Sequence, residues 1–540
     1  MTKPMNGRMR VLAASLLMNT RKSWPPDRGW TGGFLRSLAP RPAALALVIA
    51  GGVFAQAPGS TIANQLPLSG QAAQNGSVTA TQSPVPGTTT SVNTINPTIQ
   101  VSGPYVGSTS NTARLPFSGT LSLREAVQRG LEYNLGAIGI AQAVRQSRGQ
   151  ERVARSSLLP NLNGALRVYD EKLSLKAQGL GSIPNLGPSL PSVIGPFDYF
   201  DLRATLTQTV ADMTALNNYR SSKEIVRANQ YSALDARDLV VFAVGGAYLQ
   251  AIAATARVES VRAQLETAKA LYRQNSQKRS VGVLAQTDVN RSQVQALTQQ
   301  ERLLSLQNDL AKQKINLARL VGLPASDGYA LSEDIPFSAA PPITREEALK
   351  QALVKRADLK AAEAQTLAAR LLRSAARAER LPSASVSADF GVIGVRPAQS
   401  NGTFTLVGTV RIPIWQGGRT EGDIEQADAA LTQRSAEVED LRGRIESDIR
   451  EAYLDMEAAG GQVEVAMTNV QVTRETLDLT RQRFDAGVTD NVEVVQAQES
   501  VAGAELDYIN SVFAHNLAKL SLARAVGGAA ESLGQFLKLQ

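Results

Sequence analysis

The chain has 540 residues, of which 43% are hydrophobic and only 5% aromatic, with no cysteine and a formal charge of +8. Without cysteine there are no disulfides, no thiolate metal sites and no acceptor for an N-terminal lipid. The low aromatic content suits Ala- and Leu-rich helices better than an aromatic β core. The charge is concentrated in residues 1–57, where eight basic residues face the single acid Asp27. The remaining chain is nearly neutral and offers no polyanion footprint, which argues against nucleic acid as a partner. No run of 18 apolar residues interrupts the body, so helical membrane spans are not expected.

In chain order, residues 1–57 read as an export-signal region. The basic lead is followed by a short apolar stretch, Ala43 to Phe54, and then by small residues at Ala55 and Ala57, in the spacing a signal peptidase reads. The apolar stretch is too short for a spanning anchor, and the long basic lead leaves Met18 as an internal start. Residues 58–118 are rich in Ser, Thr, Gly, Asn and Pro with Arg114 the only charge. That composition predicts a low-complexity leader, flexible or draped on the surface.

From Leu121 onward the chain repeats itself. Leu123 to Leu131 matches Arg345 to Leu353 and Leu159-Pro160 matches Leu381-Pro382, at an offset of 222; further on, Ala247-Tyr248-Leu249 matches Ala452-Tyr453-Leu454 and Leu317 to Gly322 matches Leu522 to Gly527, at an offset of 205. The difference falls on a Gly/Pro-rich insertion, Gly179 to Pro196. A tandem duplication follows, with repeat 1 at 119–323, a linker at 324–342, repeat 2 at 343–528 and a tail at 529–540. Each copy begins with a predicted helix, Ser122 to Ser157 in the first and from Thr344 in the second, with Ser122/Glu125 and Thr344/Glu347 in capping-box register.

Two alternating segments come next in each copy. Phe200, Leu202, Ala204 and Leu206 oppose Asp201, Arg203, Thr205 and Thr207; Val386, Ala388, Phe390 and Val392 oppose Ser385, Ser387, Asp389 and Gly391. Phe404, Leu406, Val410 and Ile412 oppose Thr403, Thr405, Thr409 and Arg411, which is the two-sided pattern of a membrane strand. The partner near Asn163 to Leu175 is less regular. Asn401-Gly402 reads as a turn between strands rather than as a glycosylation site. Phe197, Tyr199 and Phe200 at one strand start and Trp415 at another's end are candidate membrane-interface residues. Each copy then has a proline-free run broken near its middle by Gly282 or Gly487, which predicts a long outgoing helix, a tight turn and a return.

Four strands per chain cannot close a barrel, so several chains must share one, and three give twelve strands and a water path. The duplicated pattern, the Pro413-Ile-Trp-Gln-Gly-Gly418 exit from the strand, the Arg483-Phe-Asp-Ala-Gly487 turn and the LARxVG ends resemble the TolC-like outer membrane efflux proteins, over about residues 120–528. The resemblance implies a mainly α fold with a membrane β-barrel: a homotrimer whose twelve-stranded outer-membrane barrel, four strands per chain, continues as a long helical periplasmic tunnel. It also implies docking to a periplasmic adaptor and an inner-membrane pump, with export of drugs, small toxic compounds or secreted proteins.

For a catalyst the sequence offers little. His515 is the sole histidine, neither a Walker loop nor a GxSxG elbow is present, and so no enzyme, cofactor or metal site is expected. His515 itself reads as a packing or tunnel-surface residue. In family terms the two glycine turns form the tunnel tip, making Val281, Gly282, Val283, Ala486, Gly487 and Val488 candidate adaptor-docking residues; for either glycine alone, a plain turn is the simpler account. The resemblance places an acidic pore ring at Glu493, with Gln496 replacing the family's second acid. Asp485, Asp490, Arg481 and Arg483 are further gate candidates, able to tie a closed tip by ion pairs worth ~0–1 kcal/mol each when exposed. The alternative is a soluble periplasmic coiled-coil scaffold or adaptor in which the strands form a small sandwich.

Overall fold

The computed structural model describes residues 76–85, 94–109, 117, 119–177, 191–324, 328–332, 337–339, 342–531 and 534. The export-signal region, residues 179–190 of the Gly/Pro-rich insertion and most of the tail lie outside the described residues. In chain order the elements are β1 Val78–Val85, β2 Thr94–Val101, β3 Thr120–Leu121, α1 Leu123–Tyr133, α2 Leu135–Ser156, β4 Asn161–Leu173 and β5 Ile194–Ala211. There follow α3 Met213–Ser280, α4 Gln286–Val321, β6 Ala330–Leu331, α5 Arg345–Lys355, α6 Ala357–Ala378, β7 Ser383–Gly394, β8 Ser400–Arg411, α7 Arg419–Asp485 and α8 Asn491–Val526. Each repeat therefore supplies two short helices, two strands, one very long helix and a return helix. The long helices α3 and α7 have 68 and 67 residues, on the order of 100 Å each. The returns have 36 residues, so the shorter α2 and α6 complete the flanks of the long rods, packing on α3 and α7.

The helix starts are capped as their sequences require. Ser122 accepts from Glu125 N at 3.1 Å and Thr344 accepts from Glu347 N at 3.3 Å, each satisfying an orphan first-turn donor. The single helix expected from Ser122 to Ser157 is in fact two, α1 and α2, hinged at Asn134, and α5 and α6 are hinged at the equivalent Arg356. Asn134 leaves the helix because its side chain has better local partners: it accepts from Gly136 N and donates to Tyr105 O at 2.7 Å. Arg356 is held by Asp358 at 2.6 Å and Asp448 at 2.7 Å, with the guanidinium almost wholly buried. Burial alone would raise the Asp358 carboxyl, but Arg356 reverses this and holds it below the ordinary carboxylate value. Arg356→Ala would leave Asp358 unpaired in a buried site. A loss of ~3–5 kcal/mol is expected, visible as a lower thermal unfolding midpoint of the detergent-solubilised protein.

The centre of α3 is apolar on every side, and Val240, Val241, Val244 and Tyr248 are fully buried in a core shared with α1, α4 and α8. A helix hydrophobic all round is a core helix here, since its neighbours are protein. The described part of the leader, expected to be flexible or draped on the surface, is an ordered hairpin laid on the helices. β1 and β2 form an antiparallel hairpin, from Val78↔Val101 to Val85↔Thr94, and β2 packs on α8 and α3. A Cβ on Gly246 of α3 would lie 2.1 Å from Ile99, so the hairpin lies directly on the helix. Alternation explains what the average composition hid: Val78, Ala80, Ile99 and Val101 turn inward while Thr79, Thr81 and Gln100 face out. The linker is pinned as well, because β6 pairs in parallel with β3, Thr120↔Ala330 and Leu121↔Leu331.

The four long strands make one antiparallel sheet in the order β4-β5-β7-β8. Repeat 1 supplies one half and repeat 2 the other, joined between β5 and β7. Across the ladders Leu162, Leu206, Ala388 and Leu406 form one row, and Gly164, Ala204, Phe390 and Phe404 the next.

Candidate functional site

Both helical hairpins end in the same turn. Gly282 N donates to Arg279 O and Val283 N to Lys278 O, each at 2.9 Å; in the second copy Gly487 N donates to Phe484 O at 3.1 Å and Val488 N to Arg483 O at 2.9 Å. This is a Schellman ending, with the glycines at φ +81° and +72°, a conformation other residues adopt only at a cost. Nothing lies within 4 Å of where a Cβ would stand on either glycine. Backbone conformation, not crowding, therefore demands them. The turns also expose apolar groups: Val281, Val283 and Val488 are 73%, 72% and 68% exposed, and Val488 and Ala486 border a shallow groove with Leu479 and Arg483.

The gate candidates are divided by the structure. Asp485 joins the two hairpins, accepting from Gln274 Nε2 at 2.9 Å and from Lys278 Nζ at 3.1 Å on α3. Lys278 also stands 4.3 Å above the Phe484 ring. Asp490 instead caps α8, accepting from Val492 N and Glu493 N. Arg483 approaches Glu493 at 3.9 Å, an exposed and loose pair, whereas Arg481 makes no ion pair among the described residues. Glu493 and Gln496 are exposed one helical turn apart on α8. Beneath them lies a polar lock that sequence reasoning missed. Buried Asn275 donates to Asn491 Oδ1 at 3.1 Å, and Asn491 donates to Asp288 O at 3.0 Å, above an apolar seat of Leu271, Phe484 and Val494. No local motif marks Asn275, because its partner is 216 residues away.

At the other end the sheet shows its apolar face. Leu162, Leu406 and Phe404 are 71%, 70% and 80% exposed, and no second layer covers them among the described residues. A soluble sandwich requires that face to be buried, so this arrangement favours lipid. Trp415, 88% exposed, follows the end of β8, and Gly417 and Gly418 at φ +62° and +82° turn the chain into α7. Of the interface candidates Phe200 lies on the apolar face, in register with Val168, and Trp415 lies just beyond β8. Phe197 and Tyr199 lie on the opposite face, in step with Asp201 and Arg203, where Tyr199 stacks on Tyr169 with centroids 4.6 Å apart and on Phe197 at 6.0 Å.

His515 is a packing residue, 2% exposed, with Nε2 3.1 Å from Ser338 O and Phe337 against its ring. Burial first, and then Lys519, push its pKa below the ordinary histidine value. Among the described residues no group of three or more acids and histidine could hold a metal ion.

The family model described as outer membrane efflux protein matches residues 139–323 and 348–528, one segment per repeat. The pyoverdine export outer membrane protein OpmQ of Pseudomonas aeruginosa is 25% identical over 421 residues, covering 77% of this chain and 86% of that protein. Outer membrane protein OprJ of the same organism is 26% identical, covering 75% and 84%. Among solved structures, the CmeC outer membrane channel of Campylobacter jejuni superposes with a TM-score of 0.67 at 17% identity, covering 77% and 89%. The outer membrane protein VceC of Vibrio cholerae does so at 0.66 and 19%, covering 75% and 96%.

Proposed function

The chain belongs to the outer membrane efflux protein family, and from that premise we propose that it is the passive exit duct of a tripartite efflux or secretion system, working as a homotrimer. It is an outer-membrane exit channel and not a soluble scaffold. The observation that carries the proposal is the uncovered apolar face of the four-stranded sheet, with Phe404 and Leu406 turned out. A sheet with two open edges is prohibitively costly in lipid, and three copies closing into twelve strands satisfy every edge and leave a bore for water. The α3/α4 and α7/α8 hairpins then carry that bore into the periplasm.

At the tip the twin glycine turns and their exposed valines form the surface for a periplasmic adaptor, through which an inner-membrane pump supplies energy. The duct itself does no chemistry. Asp485, held by Gln274 and Lys278, keeps the second hairpin against the first in the closed tip. Glu493, repeated three times around the narrow end, makes an acidic ring that attracts cations. Small organic molecules are the proposed cargo, as the name of the pyoverdine-exporting relative suggests.

Planar bilayers test this directly. The reconstituted protein is expected to give discrete single-channel currents, and Glu493→Ala to change conductance or relieve block by divalent cations. Absence of channels would contradict the duct; channels with unchanged block would remove Glu493 from the gate.

A further inference from the structure

On the polar face of the sheet, halfway along β5, a single guanidinium reaches across three strands. Arg203 Nε donates to Asp201 at 3.2 Å on its own strand, Nη1 donates to Asp389 on β7, and Nη2 donates to Thr403 Oγ1 at 3.1 Å on β8. The register explains the reach. Arg203 stands opposite Gly391, which stands opposite Thr403. A Cβ at Gly391 would come within 3.1 Å of Arg203 Cβ and 2.6 Å of Leu202 O, so the glycine leaves open the corridor along which the arginine lies. The two carboxylates are mostly screened by this contact, their side chains 13% and 23% exposed against 24% for Arg203. Arg167 faces Asp201 from β4, so the quartet Arg167, Asp201, Arg203 and Asp389 is electrically balanced.

We propose that Arg203 determines the charge selectivity of the barrel lumen by neutralising Asp201 and Asp389, which without it would form a negative band around the pore. The inference rests on the channel proposed above, in which the polar face lines the water path and the cluster recurs three times. A charge-balanced wall midway along the bore lets solutes of either sign pass. Removing the guanidinium leaves an uncompensated negative charge per chain, three in all, within one Debye length of the axis of a narrow barrel.

The test is the reversal potential in a salt gradient. Arg203→Gln is expected to raise the cation-to-anion permeability ratio roughly two- to tenfold, from three charges acting across a screened aqueous bore. Asp201→Asn with Asp389→Asn is expected to shift it toward anions, and adding Arg203→Gln, which leaves Arg167 as the one charge of the quartet, to shift it toward anions less far. Arg203→Lys, which keeps the charge but not the fork, should hold the ratio. The recordings are repeated in an Asp485→Ala background, where the tip link to α3 is absent, so that the barrel contributes more of the resistance. If Arg203→Gln does not assemble, the double asparagine variant carries the test. Channels whose ratio is unchanged in both backgrounds would overturn the inference while leaving the duct intact; no channels from the unaltered protein would overturn the duct itself.

Discussion

Leu406→Arg is expected to remove the protein from the outer membrane, while Thr405→Arg, one residue earlier, leaves it there. Leu406 is in the middle of β8, 70% exposed in the chain and aligned with Leu206 and Leu162 on the apolar face. An arginine facing lipid near the bilayer midplane costs ~2–4 kcal/mol, and a trimer incurs that cost three times. Thr405 points to the other side and stands opposite Asp389, so an arginine there gains a carboxylate and water. Heat-modifiable trimer in the outer-membrane fraction is the measurement. Equal trimer from both variants would mean that the apolar face does not meet lipid.

The second large effect belongs to the tip. Replacing Gly282 and Gly487 together by Glu is expected to reduce efflux in cells to the level of a deletion strain, with trimer still present in the outer membrane. Each substitution forces a side chain onto a left-handed backbone at ~1–2 kcal/mol and places a carboxylate among the exposed valines of the docking surface. Because the space around both glycines is open, the change stays local. Gly→Asn at the same positions tolerates that conformation and adds no charge, and efflux should survive it. Retained efflux in the Glu variant would show that the turns serve only to reverse the chain.

How far the sequence carried these conclusions differs from one element to another. The duplication, the capped helix starts and the twin turns were all legible, because each depends on residues close together or repeated at a fixed offset. Alternation along β8 was legible for the same reason. The β1–β2 hairpin was not: its inward residues are few, and its partners on α3 and α8 are distant in sequence. The hinges at Asn134 and Arg356 were hidden because one is released by Tyr105 and the other anchored on Asp448, contacts absent from local propensity. Phe197 and Tyr199 could have been placed by counting in twos from Arg203; composition alone had suggested an aromatic belt. The Arg203 clasp needs the β5–β7 register, which joins residues 186 apart, and no local pattern specifies it.

The central claim, that three chains complete one outer-membrane barrel, is tested most directly by fractionating cells and running the membrane fractions without and with heating. An outer-membrane species migrating as a trimer that collapses to a single chain on heating is expected. A soluble periplasmic monomer would contradict it.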